Sequence, residues 1–231
     1  LYEKIQSKTA TIGVVGLGYV GLPLAVEKAK AGFTVIGFDV QADKVDRVNR
    51  GENYIGDVVP EELNALVKSG HLSATTDMAR LGGCDVISIC VPTPLDTFKQ
   101  PDLSFVESSA RAVAGQAHKD MLVVLESTTY PGTTEEVLKP LFEKAGFTIG
   151  TDLYLAFSPE RVDPGNARFK TKNTPKVVGG CTPECTRHAK ALYEAVLEAP
   201  VFAVSSPKEA EMTKILENTF RIVNCALANE M

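Results

Sequence analysis

Short apolar runs alternate along the chain with segments that carry apolar residues at helical spacing. The main runs occupy residues 11–15, 33–38, 85–91, 121–125 and 153–157. They lack the strict alternation of a half-buried strand, and such runs are typical of parallel strands buried on both faces. The segments between them have the periodicity and the capping residues of helices. The pattern therefore predicts an α/β fold of the Rossmann type, with a doubly wound, mainly parallel sheet.

The end of the chain has a different pattern, because the spacing is helical without interruption over residues 206–231. We therefore expect one domain over residues 1–205, followed by the start of a long helix. Thr133 or Thr134 is expected to cap an earlier helix that runs to about Lys144. Further short strands are expected at residues 72–75, 176–179 and 201–204.

A glycine-rich turn separates the first apolar run from the helical segment that follows it. Its candidate ligand-binding residues are Gly16, Gly18, Tyr19, Val20 and Gly21. Gly16 permits a tight turn, Gly18 lets the backbone approach a pyrophosphate, and Gly21 lets the helix pack against the strand. The unpaired N–H groups at the helix N-terminus can then face the anion. Strand, glycine turn, helix and strand in this order predict a dinucleotide-binding site.

An acidic residue, Asp39, ends the second strand of this unit. A carboxylate at that place can accept hydrogen bonds from a ribose 2′-hydroxyl. Val40 and Gln41 follow, without an arginine for a 2′-phosphate, so the sequence favours NAD over NADP. Lys44 lies one turn into the next helix and could reach the same ribose. A simple solvated lysine is an equally good interpretation of Lys44.

Polar loops follow several of the predicted strands at their carboxyl ends, where ligands bind in open α/β sheets. Pro92 and Thr93 follow the run at residues 85–91, and Ser127 and Thr128 follow the next run. We expect these four residues to contact the cofactor. An ordinary proline-rich loop is the alternative for the first pair. Residues 158–166 form a third such loop, with charges of both signs.

The terminal helix carries Lys214 and Asn218 four residues apart, and Arg221 continues the same stripe. A lysine, an amide and a guanidinium can orient a hydroxyl and stabilise a developing alkoxide. The alternative is a solvent-facing amphipathic helix. Because this helix follows a dinucleotide-binding unit, we expect the stripe to face substrate.

The composition and the net charge argue against nucleic-acid and membrane partners, disulfides and a metal site. The net charge is −5, without a basic block, so nucleic acid is not an expected partner. The sequence has no apolar run of membrane-spanning length and no evident signal peptide, which predicts a cytoplasmic protein with no membrane partner. The odd number of cysteines, five, predicts reduced thiols. Cys181, Cys185 and His188 lack a nearby fourth ligand, so no metal site is expected.

Five motifs occur in one order along the chain: GLGYVGLPLA, VPTPL with PDLS, ESTTYPGTTEE, SPERVDPGN and the terminal KxxxN helix. Over about residues 10–231 the chain resembles the UDP-glucose/UDP-N-acetylhexosamine 6-dehydrogenase family. STTYPGTTEE and SPERVDPGN are most similar to the branch that acts on UDP-N-acetylglucosamine. The branches that act on UDP-N-acetylmannosamine and UDP-glucose are the alternatives.

The resemblance implies oxidation of the sugar C6 alcohol to a carboxylate with two NAD⁺, through an aldehyde and a cysteine thioester. It implies that Thr128 positions the catalytic water, and that Glu160 is an acid/base or assists thioester hydrolysis. Lys214 and Asn218 would stabilise the oxyanions and orient the sugar, with Arg161 beside the substrate. The NAD-binding residues implied are Gly16 to Gly21, Asp39, Lys44 and Thr93.

The chain departs from the family pattern in one respect, because the glycine-rich GGHC-type motif with the nucleophilic cysteine is absent from these residues. Cys225 lies on the terminal helix and is an unsuitable substitute. The chain begins at Leu1 and reads as a fragment without the UDP-binding domain. We therefore expect NAD binding without complete oxidation. The resemblance implies a homodimer of the intact protein through the central helix, with this fragment's assembly left open.

Two other classes fit part of these observations. β-Hydroxyacid dehydrogenases also combine a glycine fingerprint with a lysine and an asparagine four residues apart, but SPERVDPGN and ESTTYPG disfavour them. A nucleotide-sensing module without chemistry of its own is the non-catalytic alternative. It would bind NAD regardless of Lys214.

Overall fold

A computed structural model describes residues 1–161 and 171–231 of the chain. Within these residues, eight strands form one sheet in the order β3-β2-β1-β4-β5-β6-β7-β8. The strands are β1 (Thr11–Val15), β2 (Thr34–Phe38), β3 (Leu72–Thr75), β4 (Val86–Ile89), β5 (Met121–Leu125), β6 (Leu153–Phe157), β7 (Lys176–Gly180) and β8 (Val201–Ala203). Neighbouring strands are parallel except for the antiparallel pair β6 and β7. The expectation of a doubly wound, mainly parallel sheet is confirmed.

Helices connect the strands and cover both faces of the sheet. They are α1 (Tyr2–Gln6), α2 (Gly21–Lys30), α3 (Ala42–Asn49), α4 (Pro60–Lys68), α5 (Ser104–Gln116), α6 (Lys139–Lys144), α7 (Pro183–Val196) and α8 (Pro207–Glu230). Met78–Gly83 and Thr171–Asn173 are 3₁₀ turns, and Thr134–Leu138 is a π-helical turn that leads into α6.

Two apolar cores lie on opposite faces of the sheet. One contains Phe33, Leu63 and Tyr193 and is covered by α2, α4 and α7. The other contains Val113 and Phe142 and is covered by α5 and α6. Burial on both faces explains why the strands are apolar at nearly every position.

The order of the strands reverses between β1 and β4, since β1 pairs with β2 on one side and with β4 on the other. The loops that follow these strands diverge and leave a crevice at their carboxyl ends. Residues 85–91 form a shorter strand than expected, Val86–Ile89. The residues beyond it belong to the crevice instead of the sheet.

Helix α8 packs most closely against the domain at its start, and Lys214 and Glu217 contact the domain farther along. Pro207, Ala210 and Glu211 are buried, whereas Leu216 and Phe220 farther along are largely exposed. The division expected after residue 205 stays a prediction. None of the helices in the described ranges is long and apolar enough to span a lipid bilayer.

Candidate functional site

A cleft of about 530 Å³ lies at the carboxyl ends of the central strands. It brings together most of the residues selected from the sequence. These are Gly16, Gly18, Tyr19, Val20, Asp39, Lys44, Pro92, Thr93, Ser127, Thr128, Glu160 and Lys214. Cys90, Val91 and Glu126, which the sequence did not point to, also line it.

The glycine turn forms one wall of the cleft, and each glycine has a separate steric reason. Gly16 has φ +92°, and a Cβ there would lie 2.9 Å from the carbonyl oxygen of Cys90. A Cβ at Gly21 would overlap the carbonyl oxygen of Gly16. At Gly18, in contrast, no atom of the described residues lies within 4 Å of the Cβ position. The backbone at Gly18 is therefore open to a ligand in the cleft.

Helix α2 starts directly after this turn. Within the described residues, no side chain caps its N-terminus at Val20. The first backbone N–H groups of a helix lack intrahelical partners and carry a partial positive charge. The start of α2 therefore suits a phosphate group.

Asp39 is held beneath the turn by backbone donors. The Leu17 N–H donates to Asp39 Oδ2 at 2.9 Å, and the Gln41 N–H donates to Oδ1 at 3.0 Å. Lys44 Nζ lies 3.6 Å from Oδ2. The carboxylate is thus fixed before any ligand binds, and Val40 beside it is exposed without a charge. This arrangement fits a ribose diol better than a 2′-phosphate.

Tyr54 supports the same turn from a loop that the sequence did not single out. Its hydroxyl donates to the Leu17 carbonyl at 2.8 Å, and the Arg47 guanidinium lies 5.0 Å from its ring centroid. Burial, followed by the nearby charge of Asp39, raises the pKa of Tyr54. The tyrosine therefore remains a hydrogen-bond donor at neutral pH.

Two loops that follow β4 and β5 are joined across the cleft floor. Thr93 Oγ1 donates to the Thr128 carbonyl at 2.6 Å, and Ser127 Oγ donates to the Val91 carbonyl at 2.6 Å. Their hydroxyls thus bind the neighbouring backbone. The contacts of Thr93 and Ser127 with a cofactor stay predictions.

The loop after β5 is also fixed by α8, through the buried carboxylate of Glu211. It accepts hydrogen bonds from the N–H of Gly132 at 2.5 Å and of Thr134 at 2.9 Å, and from Thr134 Oγ1 at 2.7 Å. Thr133 is the N-cap residue of the turn that leads into α6, as expected, but its side chain makes no capping hydrogen bond. Thr133 Oγ1 donates to the Tyr130 carbonyl instead. A carboxylate distant in sequence replaces the local cap, because packing α8 here brings a stronger acceptor.

Glu160 and Lys214 meet at the end of the cleft opposite Asp39. Lys214 Nζ donates to the Glu160 carbonyl at 2.7 Å, and the Arg161 N–H donates to Glu160 Oε1 at 2.8 Å. Glu160 Oε2 lies 3.4 Å from Lys176 Nζ. Burial lowers the pKa of Lys214. A cation and a carboxylate therefore stand together beside the crevice.

Two predicted substrate residues lie elsewhere. Arg161 forms an ion pair with Glu217 and donates to the Pro175 carbonyl at 3.0 Å. It lines a separate cavity of about 460 Å³ along α8. Asn218 is exposed and is not among the described residues that line the main cleft. Their roles stay predictions, and residues 162–166 of the SPERVDPGN motif lie outside the described residues.

A buried ionic cluster lies directly beneath the cleft. Glu126 Oε2 is 2.9 Å from Lys176 Nζ, and Oε1 is 3.6 Å from Lys28 Nζ. The Tyr193 hydroxyl donates to Glu126 Oε1 at 2.8 Å, and Lys28 Nζ donates to Ser88 Oγ at 2.5 Å. The carboxylate and both ammonium groups are almost completely shielded from solvent.

The partners decide the charge states in this cluster. Burial alone would raise the pKa of Glu126, but the two lysines outweigh it and the pKa is lowered. Burial opposes the charge of Lys176, but Glu126 and Glu160 raise its pKa. Burial lowers the pKa of Lys28, because Glu126 offsets only part of the desolvation. Burial also raises the pKa of the Cys90 thiol, which therefore stays protonated.

The chain matches the family described as "UDP-glucose/GDP-mannose dehydrogenase family, NAD binding domain" over residues 10–197. It belongs to this family. The expected cofactor, NAD, is thereby confirmed.

Individual relatives agree with this assignment. The chain is 39% identical over 225 residues to a UDP-N-acetyl-D-glucosamine 6-dehydrogenase of Pseudomonas aeruginosa, covering 97% of the chain and 52% of the relative. It is 38% identical to a UDP-N-acetyl-D-mannosamine dehydrogenase of Pyrococcus horikoshii, covering 95% and 52%. The solved structure of the UDP-D-ManNAc dehydrogenase from that organism superposes with a TM-score of 0.90 and the same coverage. The chain thus spans about half the length of these relatives.

The site of this family member fits NAD on structural grounds. Gly18 leaves open space where the pyrophosphate approaches, and Asp39 is oriented by backbone N–H groups. The start of α2, which has no side-chain cap among the described residues, directly follows the glycine turn. The geometry of these residues is thus compatible with NAD, and their individual contacts with the cofactor stay predictions.

Sequence reasoning did not identify Glu126, Lys176, Lys28 and Tyr193 as parts of the site. Two features of the sequence nevertheless indicated that Lys28 and Glu126 are buried charges. Lys28 occupies a position that the apolar periodicity of α2 assigns to the core, and Glu126 directly follows an apolar strand. A charged residue in either place implies a buried partner. No pattern in the sequence shows which distant residue that partner is.

Proposed function

We propose that the chain is the NAD-binding half of a dehydrogenase that oxidises C6 of a UDP-N-acetylhexosamine to the uronic acid with two NAD⁺. UDP-N-acetylglucosamine is the first candidate substrate, because of the STTYPGTTEE and SPERVDPGN motifs. The observation that carries the proposal is the single cleft in which the glycine turn and Asp39 meet Thr128, Glu160 and Lys214. UDP-N-acetylmannosamine is the second candidate, since relatives with that name are 38–40% identical to the chain.

Each part of the cleft has a task in this proposal. Bound NAD supplies the hydride acceptor. The ammonium of Lys214 donates to the substrate oxygen and stabilises its developing negative charge. The lowered pKa of Lys214 makes loss of its proton easier, which suits a group close to a proton-transfer step.

The proposal assigns the remaining steps to neighbouring groups. The carboxylate of Glu160, placed between Arg161 N–H and Lys176, accepts a proton or directs water to the thioester. Thr128, exposed in the cleft, positions that water. Asn218 and Arg161 act on the sugar from α8 and the loop after β6.

The proposed organisation follows from the length of the match. Residues 1–205 form the NAD-binding domain, and residues 206–231 begin the central helix. The UDP-binding domain and the nucleophilic cysteine lie outside the 231 residues, so this chain alone binds NAD without turning over a UDP-sugar. We place the intact protein in the cytoplasm as a homodimer joined through the central helix, with no nucleic-acid or membrane partner.

Calorimetric titration of the chain with NAD⁺ and NADP⁺ is the first test. We expect NAD⁺ to bind more tightly, because Asp39 disfavours a 2′-phosphate. Absence of NAD⁺ binding would contradict the proposal.

The second test follows NADH formation by the natural-length protein with UDP-N-acetylglucosamine, UDP-N-acetylmannosamine and UDP-glucose. Lys214→Ala should lower the rate at least about a hundredfold while NAD⁺ still binds. Lys208→Ala is the matched control, since that lysine is half exposed on the same helix and pairs with Glu136. A panel of hydroxyacids tests the other enzyme class. A protein that binds NAD⁺ but oxidises none of these compounds would be a non-catalytic module.

A further inference from the structure

The buried cluster beneath the cleft consists of Lys28, Glu126, Lys176 and Tyr193. Only Glu126 of these four lines the cleft itself. Its side chain has no solvent-exposed surface, so its charge acts through protein instead of water. The effective dielectric constant is lower there, and a charge placed in the cleft interacts with Glu126 more strongly than with an exposed carboxylate.

The cluster occupies one particular end of the cleft. Asp39 follows β2, on one side of the point where the strand order reverses, and Glu126 follows β5 on the other. A dinucleotide binds across such a reversal, with its pyrophosphate at the glycine turn. If the adenosine ribose meets Asp39, the nicotinamide half lies toward Glu126 and Thr128.

The oxidised nicotinamide ring carries a positive charge, and the reduced ring is neutral. A buried carboxylate close to the ring stabilises only the oxidised form, and a buried ammonium group disfavours only that form. Glu126 is ionised, and Lys176 is cationic and shared with Glu160. Lys28 pairs with the other carboxylate oxygen of Glu126 and donates a hydrogen bond to Ser88. The charge of Glu126 therefore favours a cationic ring in the cleft, and the charges of Lys28 and Lys176 disfavour it.

We propose that the Lys28–Glu126–Lys176 cluster sets the preference of the cleft for oxidised over reduced cofactor. Glu126 strengthens binding of the cationic form, and the two lysines limit that preference. The cluster thus determines how much more tightly the cleft binds one redox form of the cofactor than the other. This inference rests on the proposed cofactor site and deepens it.

The test measures the dissociation constants of NAD⁺ and NADH for the purified protein by calorimetry and compares their ratio among variants. Glu126→Gln retains the shape of the side chain and removes its charge. We expect it to shift the ratio roughly three- to tenfold toward NADH, as loss of one partly screened charge should. Lys176→Met should shift the ratio in the opposite direction. Lys28→Met should shift the ratio in the same direction as Lys176→Met.

Glu184→Gln is the matched control. This carboxylate is half exposed on α7, pairs with Arg187, and does not line the cleft. It should leave the ratio unchanged. A thermal melt of each variant shows whether it is folded, and if Glu126→Gln fails to fold, the two lysine variants decide the question.

The possible outcomes separate the two proposals. If the unmodified protein binds neither form of the cofactor, the proposed cofactor site is wrong. If both forms bind and the ratio in every folded variant remains that of the control, the cofactor site stands and the role of the cluster is refuted. Equal shifts in both dissociation constants would likewise refute it, because they would reflect distortion of the cleft instead of charge.

Discussion

The two ends of the cleft hold their carboxylates in different ways. At one end, Asp39 is bound by the backbone N–H groups of Leu17 and Gln41 and still borders the crevice. At the other end, Glu126 is bound by the side chains of Lys28, Lys176 and Tyr193. The position of the Asp39 carboxylate is thus fixed by backbone groups, and that of the Glu126 carboxylate by three side chains.

This difference has energetic consequences. The donors beside Asp39 are neutral backbone N–H groups, one buried at Leu17 and one on the exposed Gln41, so loss of this carboxylate leaves no buried charge unpaired on the backbone. The ammonium groups around Glu126 are buried, and loss of the carboxylate would remove the ion pair of Lys28 and leave Lys176 with the more distant Glu160. We therefore expect substitution of Asp39 to lower cofactor affinity strongly and the free energy of unfolding less. We expect substitution of Glu126 to lower the free energy of unfolding more.

Glu126→Ala is expected to give the largest effect, a loss of about 3–5 kcal/mol in the free energy of unfolding, because it removes the buried ion pair of Lys28 and the shorter of the two ion pairs of Lys176. Asp39→Ala is the matched variant and should cost less, about 1–3 kcal/mol, because it leaves the buried Leu17 N–H without this acceptor but leaves no buried charge. Urea unfolding followed by circular dichroism measures both. NAD⁺ affinity should fall at least about tenfold in Asp39→Ala, from loss of charge-assisted hydrogen bonds to the ribose. Similar losses of stability in the two variants would abolish the distinction between the ends.

The pH dependence of stability sharpens the same comparison. The lysines lower the pKa of Glu126 from its ordinary value of 4.5, so the folded state binds this proton less readily than the unfolded state. The stabilisation is fully present above pH 4.5 and is lost as the pH falls toward the folded-state value. Urea midpoints should therefore decrease on acidification below pH 4.5, and less steeply in Glu126→Gln. Equal slopes in the two proteins would exclude Glu126 as their source.

A pair of glycine variants tests whether the glycine turn, at the Asp39 end of the cleft, binds the cofactor. Gly18→Ala adds a methyl group in open space, so the protein should fold normally and lose about a hundredfold or more in NAD⁺ affinity. Gly21→Ala places the methyl group on the Gly16 carbonyl, so it should lower the melting temperature as well. Calorimetric titration and thermal melts measure the two effects. A Gly18→Ala protein that binds NAD⁺ normally would show that the pyrophosphate does not approach this backbone.

Thr93→Val is expected to give the smallest effect. It removes the hydrogen bond to the Thr128 carbonyl between the two loops, which should cost about 1 kcal/mol in stability. Ser69→Ala is the control, since that hydroxyl donates to the Leu66 carbonyl at the end of α4 and does not line the cleft. A weaker NAD⁺ affinity in Thr93→Val alone would show that this tie also shapes the cofactor site.

Residues that act within one local unit were predictable from the sequence. The β1–α2–β2 unit places Gly16, Gly18, Gly21 and Asp39 by spacing alone, because strand and helix periodicities fix where each residue points. The apolar runs likewise predicted the parallel strands, since burial on both faces leaves no polar alternation. The lysine at position 214 was identified for the same reason, from helical spacing.

Only the tertiary structure decided which distant charges meet. Tyr193 and Glu126 are 67 residues apart, and Lys176 and Glu126 are 50 apart. A buried ion is stable only if a counter-charge reaches it in three dimensions, and spacing along one element does not contain that information. The same limit explains why Glu211 makes the capping hydrogen bonds in place of a threonine side chain. The sequence by itself determined a dinucleotide-binding unit, and packing of β5, β7, α7 and α8 determined the charges that surround it.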